Sequence, residues 1–250
     1  VRQLMANLAA AVLDPLLKAD PMGPRITYYD DATGERIELS SVTLANWAAK
    51  TANLLRDELG AGPGTRVAVL LPAHWQTAAV LLGVWWIGAE VVLAGAGAAG
   101  PATSDTADIA LCTRERLDEA DEAVAGGEVA VLSLDPFGKP ASELPIGVTD
   151  YATAVRVHGD QFITESRPGP ALAGRSADEV LTAAAGSAEA MGLTATDRVM
   201  SSLPWSTPDE LVANLLAVFV VGASLVQVAN PDPAALERRR TTEKVTRDLG

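Results

Sequence analysis

The run RVAVLL, residues 66–71, is apolar at every position after its arginine and never alternates with polar residues. A strand with one wet face alternates, so this one must be covered on both faces, as in a parallel sheet with helices on either side. EVVLAG (90–95), ADIALC (107–112), EVAVLSL (128–134), RVMSSL (198–203) and SLVQV (224–228) read as strands, and QFIT (161–164) reads as one more. Helical patterns lie between them. Over 43–59, Leu44, Trp47, Ala48, Thr51, Leu54 and Leu55 share one face, and Asn46, Lys50, Asn53 and Asp57 share the other. Residues 74–87, with Trp75, Trp85 and Trp86, are apolar on nearly every side and predict a deeply buried helix. Another helix is expected over 113–124, and three more are announced by start signals: Ser176 to Glu179 at capping-box spacing, Thr207-Pro208-Asp209-Glu210, and Asp232-Pro233 before a terminal helix. RITYY (25–29) and RIEL (36–39) flank the turn-rich DDATGE and predict a hairpin. The fold class is therefore α/β, a mainly parallel sheet flanked by helices. Residues 1–250 are expected to form one domain, with two lobes of about 1–135 and 160–250 left open by the turn-rich stretch 135–175.

Charge and composition exclude several classes of function. The net charge is −13, which disfavours nucleic acid and acidic membranes as partners, since both require a positive field. The basic cluster ERRRTTEK (237–244) reads as the solvated face of the terminal helix. The single cysteine, Cys112, lies in an apolar run and reads as a buried, inert thiol, pointing to a reducing cytoplasm. A chain of this length buries about 70–75% of its unfolded surface and needs neither disulfide nor metal to fold. Residues 1–20 lack the pattern of a signal peptide, and TAAVLLGVWWIGA (77–89) is too short to span a bilayer. The longer apolar stretch 211–229 is interrupted by Asn214, Gly222, Ser224 and Gln227. A soluble, cytoplasmic protein with no membrane span is expected.

Motifs of familiar chemistry are sparse. His74 and His158 are the only histidines, and neither has zinc-site spacing. His74 reads either as a helix-terminal polar residue or as a group at the carboxyl end of a strand, where ligands bind in open α/β sheets. His158 reads as a turn residue. There is no G-x-S-x-G elbow, no G-x-G-x-x-G and no G-x-x-x-x-G-K-[ST], and Gly138-Lys139-Pro140 reads as a surface turn.

Two longer blocks carry a resemblance. LANWAAKTANLLRDELGAGPGTRVAVLLPAHWQTAAVLLGVWWIGAEVV (44–92) and LTAAAGSAEAMGLTATDRVMSSLPWSTPDELVANLLAVFVVGASLVQV (181–228) resemble the acyl-adenylate-forming enzymes: acyl-CoA synthetases, peptide-synthetase adenylation domains and firefly-type luciferases. The resemblance lies in the order of helix, G-x-G-T-R-V strand, Leu-Pro, apolar helix and Gly-Ala strand, then D-R-V strand, Leu-Pro, helix and Gly-Ala strand. It covers most of the chain and rests largely on scaffold residues.

That resemblance implies a reaction of a carboxylate with ATP, and a loop of the form SGTTGxPKG holding the phosphates. Small residues and backbone N–H groups allow close approach to an anion, and a lysine adds charge. At that place stands TESRPGPALAGRS (164–176), with no lysine and with Glu165 where a triphosphate would lie. Ser166, Arg167, Gly169 and Arg175 are its candidate anion contacts, with solvated loop residues as the preferred reading of the arginines. The adenine motif, the ribose-binding aspartate and the small domain with the catalytic lysine would follow Gly250. The resemblance therefore implies a truncated, degenerate relative that has lost adenylation and has no catalytic residue to name. Its expected role is small-molecule binding or that of a partner subunit. His74, Ser104, Trp205, Ser206 and Thr207, which follow predicted strands, are the candidate lining. The alternatives are residual ATP, AMP or acyl-adenylate chemistry completed by another chain, and a protein-interaction scaffold that forms a homodimer or binds another protein.

Overall fold

The computed structural model describes residues 5–93 and 106–250. Its first elements are α1 (Leu8–Ala19), the hairpin β1 (Pro24–Asp30) and β2 (Glu35–Ser40), and α2 (Ser41–Asp57). Gly34 supplies the positive φ of 77° that the hairpin turn needs. Next come β3 (Arg66–Leu70), α3 (Trp75–Trp86), β4 (Glu90–Val92), β5 (Ile109–Cys112), α4 (Leu117–Val124) after a short 3-10 turn, and β6 (Glu128–Val131). The turn-rich stretch contributes two short elements the sequence did not announce, β7 (Thr149–Asp150) and α5 (Tyr151–Val155).

The last part contains α6 (Ala177–Ala190), β8 (Arg198–Ser201), α7 (Pro208–Leu211) running through a π-turn into α8 (Ala217–Val221), β9 (Ser224–Ala229), α9 (Pro233–Glu243) and β10 (Arg247–Leu249). The expected capping box of Ser176 with Glu179 forms, and the helix start at Thr207 proves to be a second capping box, with Glu210. Asp232 caps α9 by accepting the Ala234 amide, but α9 is not the last element, because β10 follows it and pairs with β8.

The described strands form two five-stranded sheets, ordered β10-β8-β9-β1-β2 and β4-β3-β5-β6-β7. All pairings are parallel except the β1–β2 hairpin. The second sheet is apolar on both faces, as RVAVLL requires. Val67, Val69, Ile109 and Leu111 join the main core, while Ala68, Leu70, Ala110 and Cys112 pack with Ala120 and Val124 of α4 on the other side. Cys112 is fully buried, and burial raises its thiol pKa to about 12.

Helix α3 touches α1, α2, β1 and β4, and all twelve of its residues are buried. Close approach of α2 and α3 depends on Gly83. A Cβ there would stand 2.9 Å from Thr51 Cβ and 3.0 Å from the Ala48 carbonyl oxygen. Gly83→Val is therefore expected to lower stability by about 2–3 kcal/mol through overpacking, read as a fall in the urea midpoint. No described helix is long and apolar enough to cross a membrane.

Two expectations need correction. Residues 161–164 form no strand; Gln161 O accepts from Asn53 Nδ2 at 2.9 Å and Thr164 Oγ1 accepts from Trp86 Nε1 at 3.0 Å. The segment runs over α2 and α3 with Ile163 90% exposed, so helix side chains take the place of a strand partner. The ERRRTTEK cluster is also not wholly a solvated face. Arg239 and Glu243 are buried against the first sheet, Arg239 paired with Asp31, while Arg238 is exposed.

Candidate functional site

The loop over residues 164–176, where the resemblance implies a phosphate loop, is built to satisfy itself. Glu165 N–H donates to Trp86 O, Gly169 N–H to Gly88 O, Ala171 N–H to Arg175 O, and Arg175 N–H to Leu172 O. Carboxylates take three more amides: Glu165 Oε1 accepts Arg167 N–H at 2.7 Å, Glu90 Oε2 accepts Gly174 N–H at 2.8 Å, and Glu179 Oε2 accepts Ser176 N–H at 2.9 Å. Pro168 and Pro170 have no N–H to offer. The donors that would cradle a phosphate are thus largely directed at the protein's own oxygens. Ser166 and Arg167 are exposed, and Arg175 is half-buried. Gly169 is a packing glycine, since a Cβ there would lie 2.9 Å from the Gly64 amide nitrogen.

The position of the loop matters as much as its bonding. It packs on Trp85, Trp86 and Gly88, at the carboxyl end of α3. His74 caps the other end of the same helix. Twelve helical residues separate the two by about 18 Å. The structure therefore does not bring His74 together with Ser166, Arg167, Gly169 and Arg175.

Around His74 lies a cleft of ≈ 770 Å³, a size suited to a small organic ligand. It is formed where β1, β3, β6 and β9 end, between the two sheets, and the hairpin turn closes one side. Its lining includes Tyr28, Asp30, Glu35, His74, Leu134 and Phe137. Trp205, Ser206 and Thr207 do not line it. Trp205 is buried in the core, the Ser206 amide is held by Glu210 Oε2 at 2.8 Å, and Thr207 is an exposed helix cap. Ser104 lies outside the described residues.

The His74 ring is 2% exposed and stacks at a tilt on Tyr28, with centroids 4.3 Å apart. Its Nδ1 accepts the Gln76 amide at 3.0 Å, which leaves the ring proton on Nε2. Burial lowers its pKa to about 3, so the ring is neutral near pH 7. Nε2 lies 3.9 Å from Glu35 Oε1, too far for a hydrogen bond.

That Glu35 oxygen is buried and has no hydrogen-bond partner among the described residues. Burial first, and then the charge of Asp30, raise the Glu35 pKa; the Trp75 indole lies near enough to oppose the rise without reaching hydrogen-bond geometry. Burial, with Asp30 and Glu35, likewise raises the Tyr28 phenol.

Sequence reasoning found His74 and missed Tyr28, Asp30, Glu35, Leu134 and Phe137. The signal available was the acidity of DDATGE beside a strand end.

No model of a known protein family matches the chain. Among solved structures, an acyl-CoA synthetase from Brucella canis matches 98% of this chain and 47% of its own length, with a TM-score of 0.80 at 20% identity. Apo MatB from Rhodopseudomonas palustris matches 95% of this chain and 48% of its own, with a TM-score of 0.74 at 20% identity. The anthranilate CoA ligase AuaEII, in complex with anthranoyl-AMP, matches 99% and 50%, with a TM-score of 0.72 at 17% identity. The chain spans about half the length of these structures, and the likeness is one of fold. In sequence, a TIGR03089 family protein of Mycobacterium tuberculosis (strain ATCC 25618 / H37Rv) is 68% identical over 247 residues, covering 97% of this chain and 98% of that relative. Matched almost from end to end at that identity, the chain belongs to the TIGR03089 family.

Proposed function

We propose that this chain binds a small molecule in the His74 cleft and does not itself form adenylates. One observation carries this reading: the loop in the phosphate-loop position donates its amides to Glu165, Glu90, Glu179 and main-chain carbonyls, at the far end of α3 from the cleft. An incoming phosphate would have to displace the Glu165 carboxylate from the Arg167 amide. At about 4 Å it would meet like charge, costing about 1 to 4 kcal/mol depending on screening. The role is that of a binding module or a ligand-sensing partner subunit, with residues 1–250 acting as one domain around a core that joins both sheets.

A second reading keeps nucleotide chemistry, completed by another chain. It is favoured by Arg167 and Arg175, whose side chains make no hydrogen bond or ion pair among the described residues. MatB is also known in an ATP-bound form of the same fold.

Calorimetric titration with ATP plus Mg²⁺, AMP and a set of acyl-CoAs separates the two. The proposed reading expects no ATP or AMP binding tighter than about 1 mM, the equivalent of about −4 kcal/mol. ATP binding abolished by Arg167→Ala or Arg175→Ala would overturn it and establish the second reading.

A further inference from the structure

The hairpin at the cleft places two acids face to face. Asp30 pairs with Glu35 across the β1–β2 ladder, so both side chains project from the same face as Tyr28 and Ile37, towards His74. Like charges directly opposite on a sheet are unfavourable unless something answers them. Asp30 is partly answered, since its Oδ1 accepts Ala32 N–H at 2.9 Å and Asn230 Nδ2 at 3.0 Å. Glu35 is not: its Oε1 is buried without a partner among the described residues.

The nearby positive charges are engaged elsewhere. Arg36 also lines the cleft, but its guanidinium is engaged with Glu243 and Glu38, at 2.9 Å each. His74, the cap of α3, is neutral, and Trp75 beside it carries no charge. Asp135, in the loop after β6, adds a further negative charge that raises the Glu35 pKa, and Lys139 acts on Asp135.

The mouth of the cleft is apolar by contrast. Phe137 is 85% exposed there, beside Leu134 and Ile37. Among the described residues no three His, Cys, Asp or Glu side chains stand close enough to hold a metal ion. The volume instead suits an organic molecule.

We propose that the cleft takes a small organic cation, its ammonium group seated at Glu35 and Asp30 and its apolar body against Ile37, Leu134 and Phe137. His74 Nε2 carries the ring proton and offers an ammonium no acceptor, so the two carboxylates alone seat the charge. A charge-assisted hydrogen bond to Glu35 supplies selectivity for an amine over an alcohol of the same shape. This inference rests on the cleft being the ligand site.

The test uses benzylamine, benzyl alcohol and benzoate, which share one apolar body and differ in charge. Binding is read by calorimetry and by the NMR signals of the two histidine rings, which distinguish the cleft from the surface. Benzylamine is expected to bind at about 1 mM or tighter and to shift the His74 signals. Benzyl alcohol should bind about tenfold more weakly, and benzoate should not bind. Glu35→Gln should reduce benzylamine to the affinity of the alcohol, with the far-UV circular dichroism unchanged. Phe137→Ala, at a position 85% exposed, should weaken amine and alcohol by the same factor.

Equal binding of alcohol and amine, a preference for benzoate, or no His74 shift with benzylamine would each overturn the cationic assignment. The first two would still leave the cleft as a ligand site. ATP binding that depends on Arg167 would instead remove the reading on which the inference rests.

Discussion

Trp85→Ala should lower the unfolding free energy by about 4 kcal/mol, within the range seen when a large buried aromatic is truncated. Trp85 is 1% exposed and is among the largest fully buried side chains. Its indole also ties the 164–176 loop to the core, because Nε1 donates to the Ala171 carbonyl at 2.9 Å. The same carbonyl accepts the Val91 amide, also at 2.9 Å, which attaches the loop to β4. Trp85→Phe keeps most of the ring and leaves that carbonyl with one partner, so it should cost only about 1–2 kcal/mol. Urea unfolding gives both numbers. Hydrogen exchange over 165–175 shows whether the loop loosens before the rest of the fold. A Trp85→Ala protein within about 1 kcal/mol of the parent would mean that the indole site collapses without a cavity, and that the loop is held by its carboxylates alone.

The second large effect is expected at Glu243, on the face of α9 that covers the first sheet. Its side chain is 5% exposed. It accepts from Arg36 Nε at 2.9 Å, from Arg198 at 2.7 Å and from the Tyr29 hydroxyl. Burial alone would raise its pKa, but these three donors and the charge of Arg36 outweigh burial and carry it down to about 2. Glu243→Ala removes the shared acceptor and leaves Arg198, itself 13% exposed, without its closest carboxylate. A loss of about 3 kcal/mol is expected, since one side of a buried pair left alone costs far more than the intact pair contributes.

The pH dependence has a definite sign. A carboxyl whose folded pKa lies below its ordinary 4.5 stabilises the protein fully above about that value, and the contribution is lost as pH falls towards 2. The parent should therefore lose stability through that window, and Glu243→Gln should show a flatter profile from a lower starting point. Parallel acid profiles for the two proteins would show that the native and unfolded states hold this proton equally.

Much of the fold was legible because it follows from local patterns. RVAVLL lacks alternation, so β3 had to be covered on both faces, and it is. The apolar character of 74–87 on all sides required a buried α3. Ser176 and Glu179 fix a helix start through bonds three residues apart. QFIT misled because its apolar residues match a strand pattern, yet Ile163 stays in water and the backbone is answered by Asn53 and Trp86. No pattern within four residues can report that a helix will supply the partners.

The site shows the same division. The sequence by itself determined the α/β class, the burial of Cys112, the cap at His74 and the absence of lysine from residues 164–176. Each of these is set by neighbours in the chain. Only the tertiary structure decided that this loop and His74 stand at opposite ends of α3, and that Asp30 and Glu35 meet His74 across a cleft between two sheets. Those relations join residues from 28 to 230 through strand register and sheet order. Register places whole side-chain sets on one face or the other, and it is set by the packed core rather than by any single stretch of sequence.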